Sequence, residues 1–239
     1  MKRLECNKTK RNAAIMLISL MGVLSSCSPE YVPNMVNSPI FSNAGEFQAT
    51  IATGNSDFDA QTALAITDHI GIMVNGSYGN ETNDSTDDFH KHSFFEAGIG
   101  YYEKIGDQGR FEIYGGYGFG KTEGYFQNSL FDEVITDARY NRFFVQPGVG
   151  LATGIYDGSF SPRFVLVQMD PKGANFQTGN YDVFFEPVIT SKIGYKYIKF
   201  IAQFGISLPM GSNPVNYDHQ RFIFNFGLNF NIGRRYDDY

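Results

Sequence analysis

Residues 221–232, RFIFNFGLNFNI, alternate without a break. Phe222, Phe224, Phe226, Leu228, Phe230 and Ile232 share one parity; Arg221, Ile223, Asn225, Gly227, Asn229 and Asn231 share the other. Period-two alternation describes a β-strand with one apolar and one mostly polar face. The run is about twice the usual strand length of five or six residues. The pattern recurs upstream. In FIAQFGISL, Phe200, Ala202, Phe204, Ile206 and Leu208 fall on one side. In NRFFVQPGVGL, Phe143, Val145, Pro147, Val149 and Leu151 oppose Arg142, Gln146 and glycines. In RFEIYGGYGFG, Phe111, Ile113, Tyr117 and Phe119 oppose Glu112 and three glycines.

This patterning predicts ten strands, near 44–54, 57–67, 70–80, 92–105, 110–125, 138–152, 159–169, 181–195, 198–208 and 219–233. Most reach the nine to eleven residues that a tilted strand needs to cross a bilayer. The connections alternate in length. TDHI (67–70), GDQG (106–109), YDGS (156–159) and YKYI (195–198) read as tight turns. The segments near 81–91, 126–137, 170–180 and 209–218 are long and polar, and only GNSD (54–57) is short on that side. Short turns at one end and long loops at the other characterise an outer-membrane barrel with its turns in the periplasm. The expected fold is therefore all-β: an antiparallel, up-and-down transmembrane β-barrel of about ten strands, with eight as the alternative count. An even strand number places both ends of the barrel on the turn side. Tyr78, Tyr101, Tyr102, Tyr125, Tyr140, Tyr156, Tyr181, Tyr195, Tyr197 and Tyr217 lie at predicted strand ends, as aromatic girdles require. A lipocalin-like barrel or a β-sandwich would also alternate, but with shorter strands and the apolar face inward.

The first residues are of another kind. MKRLECNKTKRN is basic, AAIMLISLMGVL (13–24) is apolar but too short to span a membrane, and small residues follow it. This is the layout of a secretory signal peptide. LSSC at 24–27 resembles the lipobox of bacterial lipoprotein signals, which implies cleavage before Cys27 and acylation of that cysteine. Cys6 leaves with the signal, so no disulfide can form within the mature chain. Residues 29–39, PEYVPNMVNSP, hold three prolines and no periodicity, and read as a tether. The expected organisation is a lipoprotein signal peptide over 1–26, a lipid-anchored tether over 27–43, the barrel over 44–233 and a polar tail over 234–239.

Loss of the signal removes five bases and one acid. That leaves 14 Lys and Arg against 24 Asp and Glu, a formal charge of −10. Nucleic-acid binding wants the opposite sign and is excluded. On the inward parity stand Glu46, Glu96, Glu112 and Glu186 with Arg142, Arg163, Lys192 and Lys199. Bare charge within a membrane is costly, so these groups pair or meet water. They are expected to form a luminal network that fills the barrel.

The mature chain as a whole resembles the small bacterial outer-membrane β-barrel proteins, in a lipoprotein-type version. Its phenylalanine-rich closing strand at 221–232 carries the likeness. Members often end on an aromatic there, whereas this chain adds GRRYDDY (233–239). The resemblance implies an outer-membrane location, with the chain start held by lipid on the periplasmic side, and outer-membrane lipid as a partner. It does not imply an activity.

Three patterns suggest other chemistry. Gly115, Gly120, Lys121 and Thr122 fit G-x-x-x-x-G-K-T, but a phosphate loop must open a helix, and these residues sit in a strand pattern. NETNDSTDDFHKH (80–92) gathers Glu81, Asp84, Asp87, Asp88, His90 and His92, without the spacing or glycine of a calcium loop. A solvated acidic loop accounts for it. His219 and Ser207 at the outer rim are a conceivable pair for a lipid hydrolase or acyltransferase, but nothing in the pattern joins them. No cofactor or metal is expected. The reading is a structural or interaction protein whose outer loops meet an envelope partner. The alternatives are a narrow solute channel and a lipid-modifying rim enzyme.

Overall fold

In a computed structural model of the chain, which describes residues 29–83, 88–127, 133–171, 181–211, 215 and 217–236, the alternating segments become strands. They are β1 Phe47–Gly54, β2 Asp57–Ala65, β3 Ile70–Asn83, β4 Asp88–Ile105, β5 Gly109–Gln127 and β6 Glu133–Ala152. There follow β7 Tyr156–Pro171, β8 Tyr181–Tyr195, β9 Ile198–Ile206, the two-residue β10 Leu208–Pro209 and β11 Phe222–Ile232. Each pairs antiparallel with its sequence neighbour, and β1 closes the sheet against β11, with Phe47 opposite Ile232 and Gly54 opposite Asn225. β9 and β10 are one strand interrupted at Ser207. Both pair with β8 in a single register, Gly205 opposite Val188 and Leu208 opposite Phe185. The result is a closed ten-stranded antiparallel barrel. Closure leaves no sheet edge, so every wall strand finds its backbone partners within the chain.

The expected strands stand, and several extend further. β3 and β4 run to Asn83 and from Asp88, so most of the predicted loop 81–91 is a tall hairpin. β4, β5, β6 and β7 have 18, 19, 20 and 16 residues against eight or nine for β1, β2 and β9, so one wall rises well above the other. The turn expected at 156–159 lies instead at 153–155. The Thr153 hydroxyl accepts the Ile155 and Tyr156 amides there, and Tyr156 already pairs with Ile193.

Outward positions are apolar all round. On β11, Phe224, Phe226, Leu228 and Ile232 are exposed while Ile223, Asn225, Asn229 and Asn231 are buried. β4 shows Phe95 and Ile99, β6 shows Phe143, Val145, Val149 and Leu151, and β9 shows Phe200 and Phe204. A continuous apolar belt of this extent far exceeds the few hundred Å² that soluble proteins leave exposed. The buried face, by contrast, holds Glu96, Glu112, Arg142, Arg163 and Glu186, each 0 % exposed. This inside-out arrangement overturns both soluble alternatives, which need an apolar interior. The tyrosine girdle is thinner than expected. Tyr78, Tyr101, Tyr156, Tyr181, Tyr195 and Tyr197 are exposed, but Tyr102 and Tyr140 fall on the inward parity and are buried, and Tyr217 packs against the inner cluster.

The largest correction concerns the expected tether. Residues 31–43 are buried throughout and run inside the barrel from the loop end to the turn end. At the loop end Tyr31 forms a parallel bridge with His219, just before β11. At the turn end the chain reverses through Gly45, at φ 79°, before entering β1. Gly45 can take that left-handed conformation without strain. Residues 29–43 are thus part of the folded body. They leave Pro29 at the loop end, opposite to the end expected for the chain start. Cys27 and the segment read as a signal peptide lie outside the described residues.

Candidate functional site: a lumen filled by the chain's own first segment

Why residues 31–43 stay extended is partly local. Pro33 and Pro39 fix their own φ and disfavour helix at Val32 and Ser38. Beyond the isolated Tyr31–His219 bridge the segment joins no sheet ladder, and wall side chains serve its backbone instead. Gln203 does this from both sides: its Oε1 accepts the Val36 amide at 2.7 Å and its Nε2 donates to the Val36 carbonyl at 2.8 Å. Gln61 donates to the Met35 carbonyl at 2.6 Å, Gln146 to Asn37 O at 2.7 Å and Gln48 to Pro39 O at 2.6 Å. Asp59 accepts the Met35 amide at 3.2 Å. Each bond satisfies a buried backbone group, as burial requires.

The charged residues fall into three layers. In the upper layer Arg142 binds Glu96 through Nε at 3.1 Å and through a shorter Nη2 contact, while its Nη2 also donates to Asn34 Oδ1 at 2.5 Å. Arg163 binds Glu186 through Nη2 at 2.6 Å and approaches Glu96 to 3.8 Å. Asn34, from the inner segment, therefore lies between two guanidiniums. Above it the Tyr31 hydroxyl donates to Glu186 at 2.9 Å, and its ring packs on Phe184 and Tyr140. In the middle layer Glu112 accepts the Ser38 hydroxyl at 2.6 Å and the Ile40 amide at 2.8 Å, while Lys192 donates to Ser38 O at 3.0 Å. In the lowest layer Arg234 bridges Glu46 at 2.8 Å and Asp157 at 2.9 Å, and Lys199 joins Asp157 at 2.7 Å.

All eight residues read from the sequence as luminal are buried in the lumen. Only Glu96, Arg142, Arg163 and Glu186 pair among themselves. Glu112 serves the inner segment, Lys192 divides its bonds between that segment and Gln48 of the wall, and Glu46 and Lys199 take Arg234 and Asp157 as partners. Those partners escaped the pattern for identifiable reasons. Asp157 fell in a supposed turn, Arg234 in the supposed tail and Asn34 in the supposed tether. Asp59 sat on the inward parity of its predicted strand, where the same alternation would have found it. Of the expected tail over 234–239, Arg234 is buried in the lumen mouth, and the Tyr236 hydroxyl donates to Lys196 O at 2.7 Å.

At the loop-side mouth, burial raises the Glu30 carboxyl above its usual range, and the nearby Asp218 charge adds to this. Burial lowers the His219 imidazole, with Arg221 acting in the same direction.

The other candidate chemistry is not assembled. Gly115, Gly120, Lys121 and Thr122 all lie within β5, which continues as strand to Gln127. The Thr122 hydroxyl donates to Glu30 O at 3.0 Å, and a Cβ on Gly120 would stand 2.4 Å from the Tyr140 ring. Room for an inward aromatic explains that glycine. His90 and His92 are neighbours along β4 with their rings tilted 46° at 5.6 Å, and His92 Nε2 meets Ser56 O at 3.1 Å. No group of three metal-binding side chains occurs among the described residues. Ser207 Oγ donates to Glu186 at 3.1 Å, whereas His219 packs on Phe184, so the two do not form a nucleophile and base.

Fold, apolar belt and polar lumen together define an outer-membrane-type β-barrel whose lumen holds residues 31–43 of its own chain. In overall fold it is similar to the translocator domain of the autotransporter NalP from Neisseria meningitidis, at 11 % identity and a TM-score of 0.46, over 77 % of this chain and 86 % of that one. No family model and no curated protein matches the sequence.

Proposed function

We propose that this protein is a non-conducting barrel of the bacterial outer membrane with a structural or interaction role, its long-loop end turned outward as the contact surface for an envelope partner. One observation carries the reading: residues 31–43 occupy the lumen and are bonded to the wall at every level. A solute path would have to displace that segment against buried charge pairs, which argues for a scaffold over a channel. A rim enzyme is disfavoured because the Ser207 hydroxyl is committed to Glu186. Cys27 stands two residues before Pro29, so on this reading an acylated Cys27 belongs to the loop-side leaflet. The barrel would then carry its anchor across the membrane through its own lumen.

Planar-bilayer recording tests the proposal. The full chain should give no stepwise current, whereas a variant lacking residues 29–43 should conduct, because its charged lumen would fill with water. Steady ion-selective steps from the intact protein would promote the channel reading instead.

A further inference from the structure

The tall wall changes character where it leaves the apolar belt. Outward positions on β5 are apolar up to Phe119, and the next two are Lys121 and Glu123. The register sets Lys121 opposite Ser93 on β4 and opposite Arg139 on β6. Two cations directly opposite on neighbouring strands repel. Their acidic neighbours lie to the side or farther out. Glu123 pairs with Lys121, Asp170 is opposite Arg139, and Asp137 is opposite Glu123 one outward position beyond. The row nearest the belt therefore holds Ser93, the adjacent cations Lys121 and Arg139, and Asp170 beyond them, and the row above it holds Lys91, Glu123 and Asp137. Between the Lys121–Arg139 pair and the belt is a shallow cleft of about 400 Å³, lined by Ser93, Phe94, Phe95, Phe119, Lys121 and Arg139. Its lower wall is aromatic, and its upper rim offers two cations and a hydroxyl.

Snorkelling alone would explain a single lysine at this height. It does not explain a facing cation pair over an aromatic cleft. We propose that the cleft binds the phosphate headgroup of an anionic lipid in the loop-side leaflet. The phosphate would lie between Lys121 and Arg139, relieving their repulsion with charge-assisted hydrogen bonds. Ser93 would add a donor, and an acyl chain would follow Phe95 and Phe119 down the belt. This site rests on the membrane-spanning reading, but not on whether the lumen conducts.

The test uses the full chain in a zwitterionic detergent, with native mass spectrometry counting bound phosphatidylglycerol, phosphatidylcholine or inorganic phosphate in separate titrations. The wild type should retain phosphatidylglycerol over phosphatidylcholine. Lys121→Gln with Arg139→Gln should bind it about tenfold more weakly, the scale of two lost charge-assisted contacts at a half-exposed surface. Lys104→Gln with Arg235→Gln, the same charge change at the other end, should leave retention unaltered. Lys121→Arg with Arg139→Lys keeps the charge and should retain the lipid, even if the glutamine pair fails to fold. Equal loss in the control pair, loss in the charge-keeping pair, or no preference between the two lipids would overturn the site. Inorganic phosphate bound as tightly as phosphatidylglycerol would overturn the lipid as its source. Retention of both lipids alike would still support the membrane belt, so failure of the site and failure of the barrel reading are distinguishable.

Discussion

Replacing Arg142 with alanine isolates what the luminal charge network contributes. Arg142 is fully buried, bonded twice to Glu96, once to Asn34 and once to the Tyr31 hydroxyl at 3.2 Å, with its guanidinium 4.1 Å from the Phe94 ring. Its removal leaves the Glu96 carboxylate in the lumen with Asn75 at 2.9 Å and the more distant Arg163 at 3.8 Å. Stranding one member of a buried pair typically costs about 3–5 kcal/mol. The surviving Asn75 and Arg163 contacts put the expected loss near the lower end, about 3 kcal/mol. Arg142→Lys keeps the charge but cannot bridge Glu96, Asn34 and Tyr31 together, and should cost about 1–2 kcal/mol. Arg142→Met combined with Glu96→Gln removes both charges and should fall within about 1 kcal/mol of wild type, because the desolvation cost disappears with the attraction. Urea titration of the folded protein in lipid vesicles, read by the gel shift of the folded band, gives all three values. A double variant as unstable as Arg142→Ala would refute the electrostatic account and assign the loss to packing. Arg142→Ala should stay non-conducting, since the wall holds residues 35–42 independently.

Further outcomes follow from the same geometry. Alkyne fatty-acid labelling should tag the wild type and not Cys27→Ser, and equal labelling of both would sink the lipobox reading. In intact cells an impermeant maleimide should reach a cysteine at Asn83 and not one at Gln108; the reverse would invert the orientation. Gly45→Ala should cost about 1 kcal/mol through its left-handed backbone alone, as a Cβ there meets nothing within 4 Å. Gly118→Ala should cost about 1–3 kcal/mol by overpacking, because its Cβ would lie 2.5 Å from the Phe94 ring. Urea titration compares the two glycine variants, and equal tolerance of both would contradict the packed inner wall.

The strands, their facing and their approximate ends were legible in the sequence because strand periodicity is local. Residues 222–232 show which side chains point outward before any partner strand is known, and the phenylalanines facing lipid follow from it. Inward acids and bases such as Glu96 and Arg142 could be identified for the same reason. What those charges touch was decided by the closed barrel. Arg142 reaches Glu96 across two ladders, 46 positions away, and Arg234 reaches Glu46 across 188. The path of residues 31–43 was not readable at all. PEYVPNMVNSP has no period because it joins no ladder, and an aperiodic, proline-containing stretch looks the same as an external tether. It is ordered only because a ten-stranded wall encloses a lumen wide enough for one extended chain, lined with glutamines and charges that complete its backbone bonds. Period is a property of neighbouring residues, whereas enclosure is a property of the closed sheet.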